Sequence, residues 1–180
     1  MLMPPILRRA MLAVHLACSV GWVGAVLAYL ALDIVVATSN DVQAVRAAWI
    51  AMGAIISSVI VPLAVASLLT GVVMSLATKW GLFRHWWVLI SLGLTVIAFL
   101  VLQVEAGLVS RAAQLAADSL TSDRSVLAMQ ATLPHSLGGL FVLLVVHVLN
   151  VYKPQGVTPY GWRKQLEERN PRVIRSAATE

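Results

Sequence analysis

Few side chains in this sequence can do chemistry. Of its 180 residues 59% are apolar and 12% charged. Four histidines (His15, His85, His135 and His147) stand out, together with two carboxylates inside apolar stretches, Asp33 and Glu105. His15 lies about four residues from the inner end of the first apolar stretch, and His147 about five from the inner end of the fourth. Both then sit roughly 6–8 Å inside the same boundary. Two neutral imidazoles facing across a helical bundle can supply axial ligands to a haem iron. The chain has no Cys-x-x-Cys-His, so that haem would be b-type, not covalently attached. His85 is shallower and suits a haem propionate. Asp33, Glu105 and His135 share a depth near the opposite, outer boundary, where such a trio can bind a divalent cation or relay protons. His135 and His147 are separated by about 18 Å of helix and about 120° of azimuth, so they do not serve one site. Scattered polar packing is the competing reading of the histidines, an interfacial side chain reaching water that of His85, and an outer-interface salt bridge that of Glu105.

The elements that position these groups follow from composition. Mean hydropathy is +0.85, and the charged fraction is about half that of a soluble domain. A helix spanning the bilayer needs about 20 apolar residues. Four stretches qualify, near residues 11–32, 49–76, 86–108 and 133–152. They predict an all-α fold, a four-helix transmembrane bundle of up-down antiparallel topology over residues 1–152, followed by a basic cytoplasmic tail over 153–180. The first apolar run is too long for a cleaved signal peptide. Ten Lys and Arg residues fall on the side of the two termini and the second connection, and Arg46, Arg111 and Arg124 on the other. That bias puts both termini in the cytoplasm. The basic tail then lies against anionic headgroups and needs no nucleic-acid partner.

Helical spacing adds detail. With His15 at zero, Ser19 falls at about +40°, Trp22 at about −20°, Tyr29 at about −40° and Asp33 at about 0°. This stripe must face the other helices, as a site or as a packing seam. Ser67, Gly71, Ser75 and Thr78 form a small-residue seam on the second span. Pro62 should kink that span, and Pro134 should bend the fourth near its start. Thr38-Ser39-Asn40 is the expected N-cap cluster of the second helix, and Ser122 or Asp123 should start a short helix before the fourth span. Lys79-Trp80 and Arg84-His85-Trp86-Trp87 read as an interfacial anchor. Glu105 can meet Arg111, Arg124 or His135. Cys18, alone at membrane depth, is a small hydrophobe. Residues after Pro159 read as polar and mobile. The chain carries no P-loop, no Gly-x-Ser-x-Gly and no His-Glu-x-x-His.

Several segments carry a resemblance: Val14-His15 through Ser19-Val20-Gly21-Trp22-Val23-Gly24-Ala25, Ser67-Leu68-Leu69-Thr70-Gly71, Thr78-Lys79-Trp80-Gly81-Leu82-Phe83-Arg84-His85-Trp86-Trp87-Val88-Leu89, and Val151-Tyr152-Lys153-Pro154 through Thr158-Pro159-Tyr160-Gly161-Trp162-Arg163. Over most of residues 7–165 the chain resembles a family of small uncharacterised four-helix bacterial integral membrane proteins, actinobacterial ones among them. That likeness implies topology and a bacterial inner membrane location, and no chemistry. More distantly, His15 with Trp22 and Gly24 is similar to the first helix of the small membrane protoporphyrinogen oxidase and copper-resistance D types. In the former the matching histidine ligates haem, which carries over to His15 alone. The glycine spacing differs, and no lysine inside a span matches the one that family uses.

The expected function is that of a polytopic membrane protein, a b-type haem electron-transfer component on His15 and His147. The alternatives are a non-catalytic membrane partner or assembly protein, and a small cation- or proton-handling transporter on Asp33, Glu105 and His135. Partners are the lipid bilayer and a second copy or another membrane protein.

Overall fold

Apolar sequence that must satisfy its own backbone hydrogen bonds away from water forms helix, and the described part of this chain is helical nearly throughout. A computed structural model describes residues 3–77 and 81–169. Thr78 of the expected small-residue seam, Lys79 and Trp80 of the expected anchor, and Arg172 and Arg175 of the tail lie outside them. Helix α1 is Pro5–Thr38, α2 is Val42–Ala77, α3 is Trp86–Ala117, α4 is Asp123–Leu127, α5 is Leu133–Tyr152 and α6 is Pro159–Arg169. Four of these, α1, α2, α3 and α5, are long and apolar enough to cross a membrane. At 34 residues α1 is about 51 Å long, well beyond a hydrocarbon core of about 30 Å.

The helix ends follow local chemistry. Pro5 occupies the first position of α1, where its missing N–H costs nothing. The cap of α2 is Asp41, one residue beyond the expected cluster: its carboxylate accepts from Gln43 N at 2.9 Å, while Ser39 Oγ accepts from Asp41 N at 3.1 Å. Ser122 caps α4 as expected, accepting from Ser125 N at 3.2 Å. Pro134 lies in the first turn of α5 and so starts that helix without having to bend it. Pro62 is accommodated by a π turn over Ile56–Ile60, in which the Val61 N–H reaches back to Ile56 O. The widened turn absorbs the missing N–H just upstream of the proline.

Helix α1 packs on α2 and α5, α2 also packs on α3, and α3 packs on α5. The most deeply buried side chains, Met52, Ile56, Ile60, Val45, Val109 and Val126, gather in the half of the molecule that contains Asp33. Gly53 permits the close approach of α2 to α3, since a Cβ there would lie 2.6 Å from the Ala113 Cβ. Outward faces are apolar. Between 17% and 28% of each spanning segment is buried inside the protein, and Leu100, Val104 and Phe141 are among the exposed side chains. A surface of this kind suits lipid and not water.

Beyond α5 the chain does not become a loose tail. Lys153 adopts a left-handed conformation (φ 46°) that ends the helix. The following segment then clips onto the turn before α3. Trp86 N donates to Gly156 O at 3.2 Å, and Thr158 N to Arg84 O at 3.0 Å. The buried Thr158 hydroxyl donates to Phe83 O and accepts from Gly161 N at 3.0 Å, so it also caps α6. Arg84 pairs with Glu168 at 2.6 Å. The expectation of mobile chain after Pro159 is thus corrected for 159–169, where a threonine cap followed by proline starts a helix.

Gly161 is required by this clip. A Cβ there would lie 2.3 Å from the backbone oxygen of Arg84, whereas one at Gly156 would meet Trp86 at an ordinary 3.7 Å. Gly161→Ala should destabilise the clip by about 1–3 kcal/mol, as overpacking against a backbone atom does. Trypsin cleavage at Arg163 and Lys164 should accelerate in that variant, and Gly156→Ala should match the parent.

Candidate functional site

Two groups of polar side chains lie between the helices. The first surrounds a cavity of about 620 Å³ lined by residues of α1, α2, α3 and α5, His15 and His147 among them. Trp22, Gly71, Trp87, Ser91 and Leu143 contribute to its wall, as do the cationic residues Arg8, Arg9 and Lys153.

Both imidazoles are held by the same device. His15 Nδ1 lies 2.9 Å from Thr70 Oγ1. The Thr70 hydroxyl hydrogen is directed to Ala66 O at 2.6 Å, so the hydrogen shared with His15 comes from the imidazole. His147 Nδ1 donates to Leu143 O, one turn earlier in α5, at 2.8 Å. A carbonyl only accepts, which fixes that tautomer as well. In each ring Nε2 therefore carries the lone pair. His147 Nε2 is buried and has no hydrogen-bond partner, and Ser91 Oγ on the same wall is likewise buried and unpartnered. The ring of His15 rests over Gly71, where a Cβ would come within 3.2 Å of Cε1. Ser19, one turn on from His15, bonds Ser67 Oγ at 2.8 Å and ties α1 to α2 at this level. Both histidines line the one cavity. Counted from Asp33 and its partners on α5, His15 stands about 27 Å along α1 and His147 about 17–22 Å along α5. His85 is not among the residues lining the cavity. Its ring centroid lies 6.5 Å from that of Trp87, and the cationic residues at the cavity are Arg8, Arg9 and Lys153.

The second group is built on Asp33, which is 0% exposed. Its carboxylate accepts three hydrogen bonds, from Thr132 N at 2.8 Å, Thr132 Oγ1 at 3.2 Å and Ser136 Oγ at 2.7 Å. Tyr29, one turn earlier on the same face of α1, donates to Thr132 Oγ1 at 2.9 Å. Thr132 is the N-cap of α5, so the carboxylate also meets the positive end of that helix. Glu105 lies at the neighbouring position on α3, 6% exposed, with Oε2 3.5 Å from His135 Nδ1 and Oε1 unpartnered. The expected trio therefore divides. Glu105 and His135 pair, while Asp33 is engaged by Thr132 and Ser136. No cluster of three His, Cys, Asp or Glu residues able to hold a metal ion occurs among the described residues. Arg111 and Arg124 form no ion pair with Glu105 among the described residues.

Sequence reasoning missed Thr70 and Thr132, whose hydroxyls orient His15 and Tyr29, and the role of Arg46. The Arg46 guanidinium donates to Ala116 O at 2.9 Å, Asp118 O and Thr121 O, and pairs with Asp123 at 3.2 Å, closing the turn between α3 and α4. A threonine one residue ahead of a helix-starting Leu-Pro was a readable cap signal, but its partner on α1 was not. No family model, no curated protein and no solved structure matches the chain.

Because Asp33 satisfies three donors and water does not reach it, its loss should act on stability and not on metal affinity. Asp33→Ala removes the acceptor of the Thr132 N–H and hydroxyl and leaves Ser136 only its longer bond to Leu133 O, and should cost about 2–4 kcal/mol. Thermal unfolding in detergent checks this. A chelator should leave the parent melting temperature unchanged.

Proposed function

We propose that this protein is a multi-pass protein of the bacterial inner membrane, an up-down antiparallel four-helix bundle with cytoplasmic termini, that holds b-type haem at His15 and His147 and serves as an electron-transfer component. The observation that carries the reading is the pair of imidazoles on one cavity. Each gives its Nδ1 hydrogen to the protein and keeps Nε2 for a ligand, and the Nε2 of His147 is buried without a partner. Histidines that bind metals are held in this manner, because the second bond sets the tautomer and the ring orientation. A cavity of about 620 Å³ falls within the range of cofactor pockets, about 300–1,000 Å³. Arg8, Arg9 and Lys153 at its wall match the negative charge of propionates. The first-helix likeness to the protoporphyrinogen oxidase type supports the assignment of His15.

When bound, haem supplies one-electron chemistry; the chain supplies the setting. Thr70 and the Leu143 carbonyl orient the two rings. Trp22, Val88 and Leu143 limit water at the cavity wall. The count of cationic residues along the chain supports the orientation.

Protein purified in detergent should show a Soret band and reducible α-bands. His147→Ala and His15→Ala should each remove or shift these bands. Thr70→Val should weaken haem retention by about 10–100-fold and change the reduction potential, as loss of an orienting partner does. A colourless preparation from haem-supplemented cells would leave the non-catalytic membrane partner as the better reading.

Orientation has its own test. On a Cys18→Ser background, Ser119→Cys should react with an impermeant maleimide added to intact spheroplasts. Gln155→Cys should react only after lysis. The reverse pattern would overturn the assignment of cytoplasmic termini.

A further inference from the structure

A second cavity, of about 280 Å³, opens along the seam between α3 and α5. Its floor is Trp22, Val26 and Tyr29 of α1, with Ile56 and Ile60 of the π turn. Its mouth is edged by Ile97 and Val101, both exposed on the apolar outer surface. Gly138 and Gly139 form part of its wall, and a Cβ at either would meet nothing within 4 Å, so the helix surface here is left unfilled. Apart from Tyr29 and Ser136, whose hydroxyls are engaged by Thr132 and Asp33, the polar lining is Glu105 and His135, 3.5 Å apart. Glu105 is 6% exposed and its Oε1 has no partner.

We propose that this cavity binds the ring of a lipid-soluble quinone or quinol, with Glu105 and His135 at its oxygens. A hydrated cation does not suit walls this apolar. An acyl chain fills apolar space but leaves the buried Glu105 oxygen unsatisfied. The occupant must arrive through lipid, so it is neutral. It must fit a slot smaller than a typical drug-sized pocket, so it is one or two fused rings with any tail left in the bilayer. It must offer hydrogen-bonding oxygens at one edge. A quinol hydroxyl donates to the Glu105 carboxylate, and a quinone carbonyl accepts from the His135 ring. Both redox forms are therefore recognised by the same two side chains.

Trp22 and Leu143 line this cavity and the histidine cavity alike. A quinone here would share these two wall residues with a ligand held at His147. Electron exchange across that partition rests on the haem reading; the binding itself does not.

The test uses the full-length chain, as purified, in phosphatidylcholine nanodiscs. The probe is 2-methyl-1,4-naphthoquinone, and the readout is quenching of tryptophan fluorescence, to which Trp22 reports from the cavity floor. Quenching should saturate in the parent protein above the linear background of a tryptophan-containing peptide in the same discs. Glu105→Gln, nearly isosteric, should weaken it at least fivefold, and Gly139→Leu should remove it by filling the slot. Quenching that never saturates, or that saturates unchanged in Glu105→Gln, overturns the proposal. The Soret band is recorded on each sample. Saturable quenching without a Soret band supports the quinone site and counts against haem alone, and a Soret band with linear quenching does the reverse.

Discussion

A carboxylate that water does not reach sets the register of this molecule. Asp33 is the 29th of the 34 residues of α1, a helix whose outward face is apolar. A buried carboxyl group in that position is tolerable only where donors converge on it. Thr132 N, Thr132 Oγ1 and Ser136 Oγ do so, at the end of α5 where the peptide dipoles add a positive field. Sliding α5 by one turn would separate all three donors from the carboxylate at once. The bond set thus pins α1 against α5, and every other residue on the two helices takes its height from it. Trp22, Ser19 and His15 follow on the same stripe of α1. Leu143, Val146 and His147 follow on α5. The histidine cavity is the consequence at the far end.

The two halves of the bundle are packed for different purposes. Around Asp33 the interior is filled by Val45, Met52, Ile56 and Val109 and closed above by Arg46 on the α3–α4 turn. Close packing of this kind is rigid and transmits position well. Around His15 small residues replace large ones. Ser67 and Gly71 of α2 let the His15 ring and the Ser19 hydroxyl approach, and the space not taken up becomes the cavity. The π turn lies between the halves. It delivers Ile56 and Ile60 to the floor of the smaller cavity while accommodating Pro62.

How far this was legible in the sequence depended on whether a feature is local. The four long apolar helices were, because each carries its signal within its own length. The polar stripe of α1 was, because helical geometry alone aligns His15, Ser19, Trp22, Tyr29 and Asp33. Partners across helices were not. Depth placed Asp33, Glu105 and His135 together, yet depth carries no azimuth, and Asp33 turns to Thr132 and Ser136 while Glu105 turns to His135. The clip was illegible for the same reason. Thr158 meets Phe83 and Arg84 across more than seventy residues of chain.

Topology and chemistry are coupled in such a protein through its cations. Arg8, Arg9 and Lys153 are three of the residues whose bias sets the proposed orientation, and the same three line the histidine cavity. Charges of this kind are held near the boundary of the bilayer because their hydration is costly to lose. A cavity that opens among them would suit the proposed ligand, with an apolar body and an anionic edge. The smaller cavity opens among Ile97, Val101 and Gly138 and takes a neutral ligand from within the lipid. Trp22 and Leu143 stand between the two. The physical distinction between the proposed sites is therefore the medium each would open onto, with Trp22 of the Asp33 stripe and Leu143 lining both.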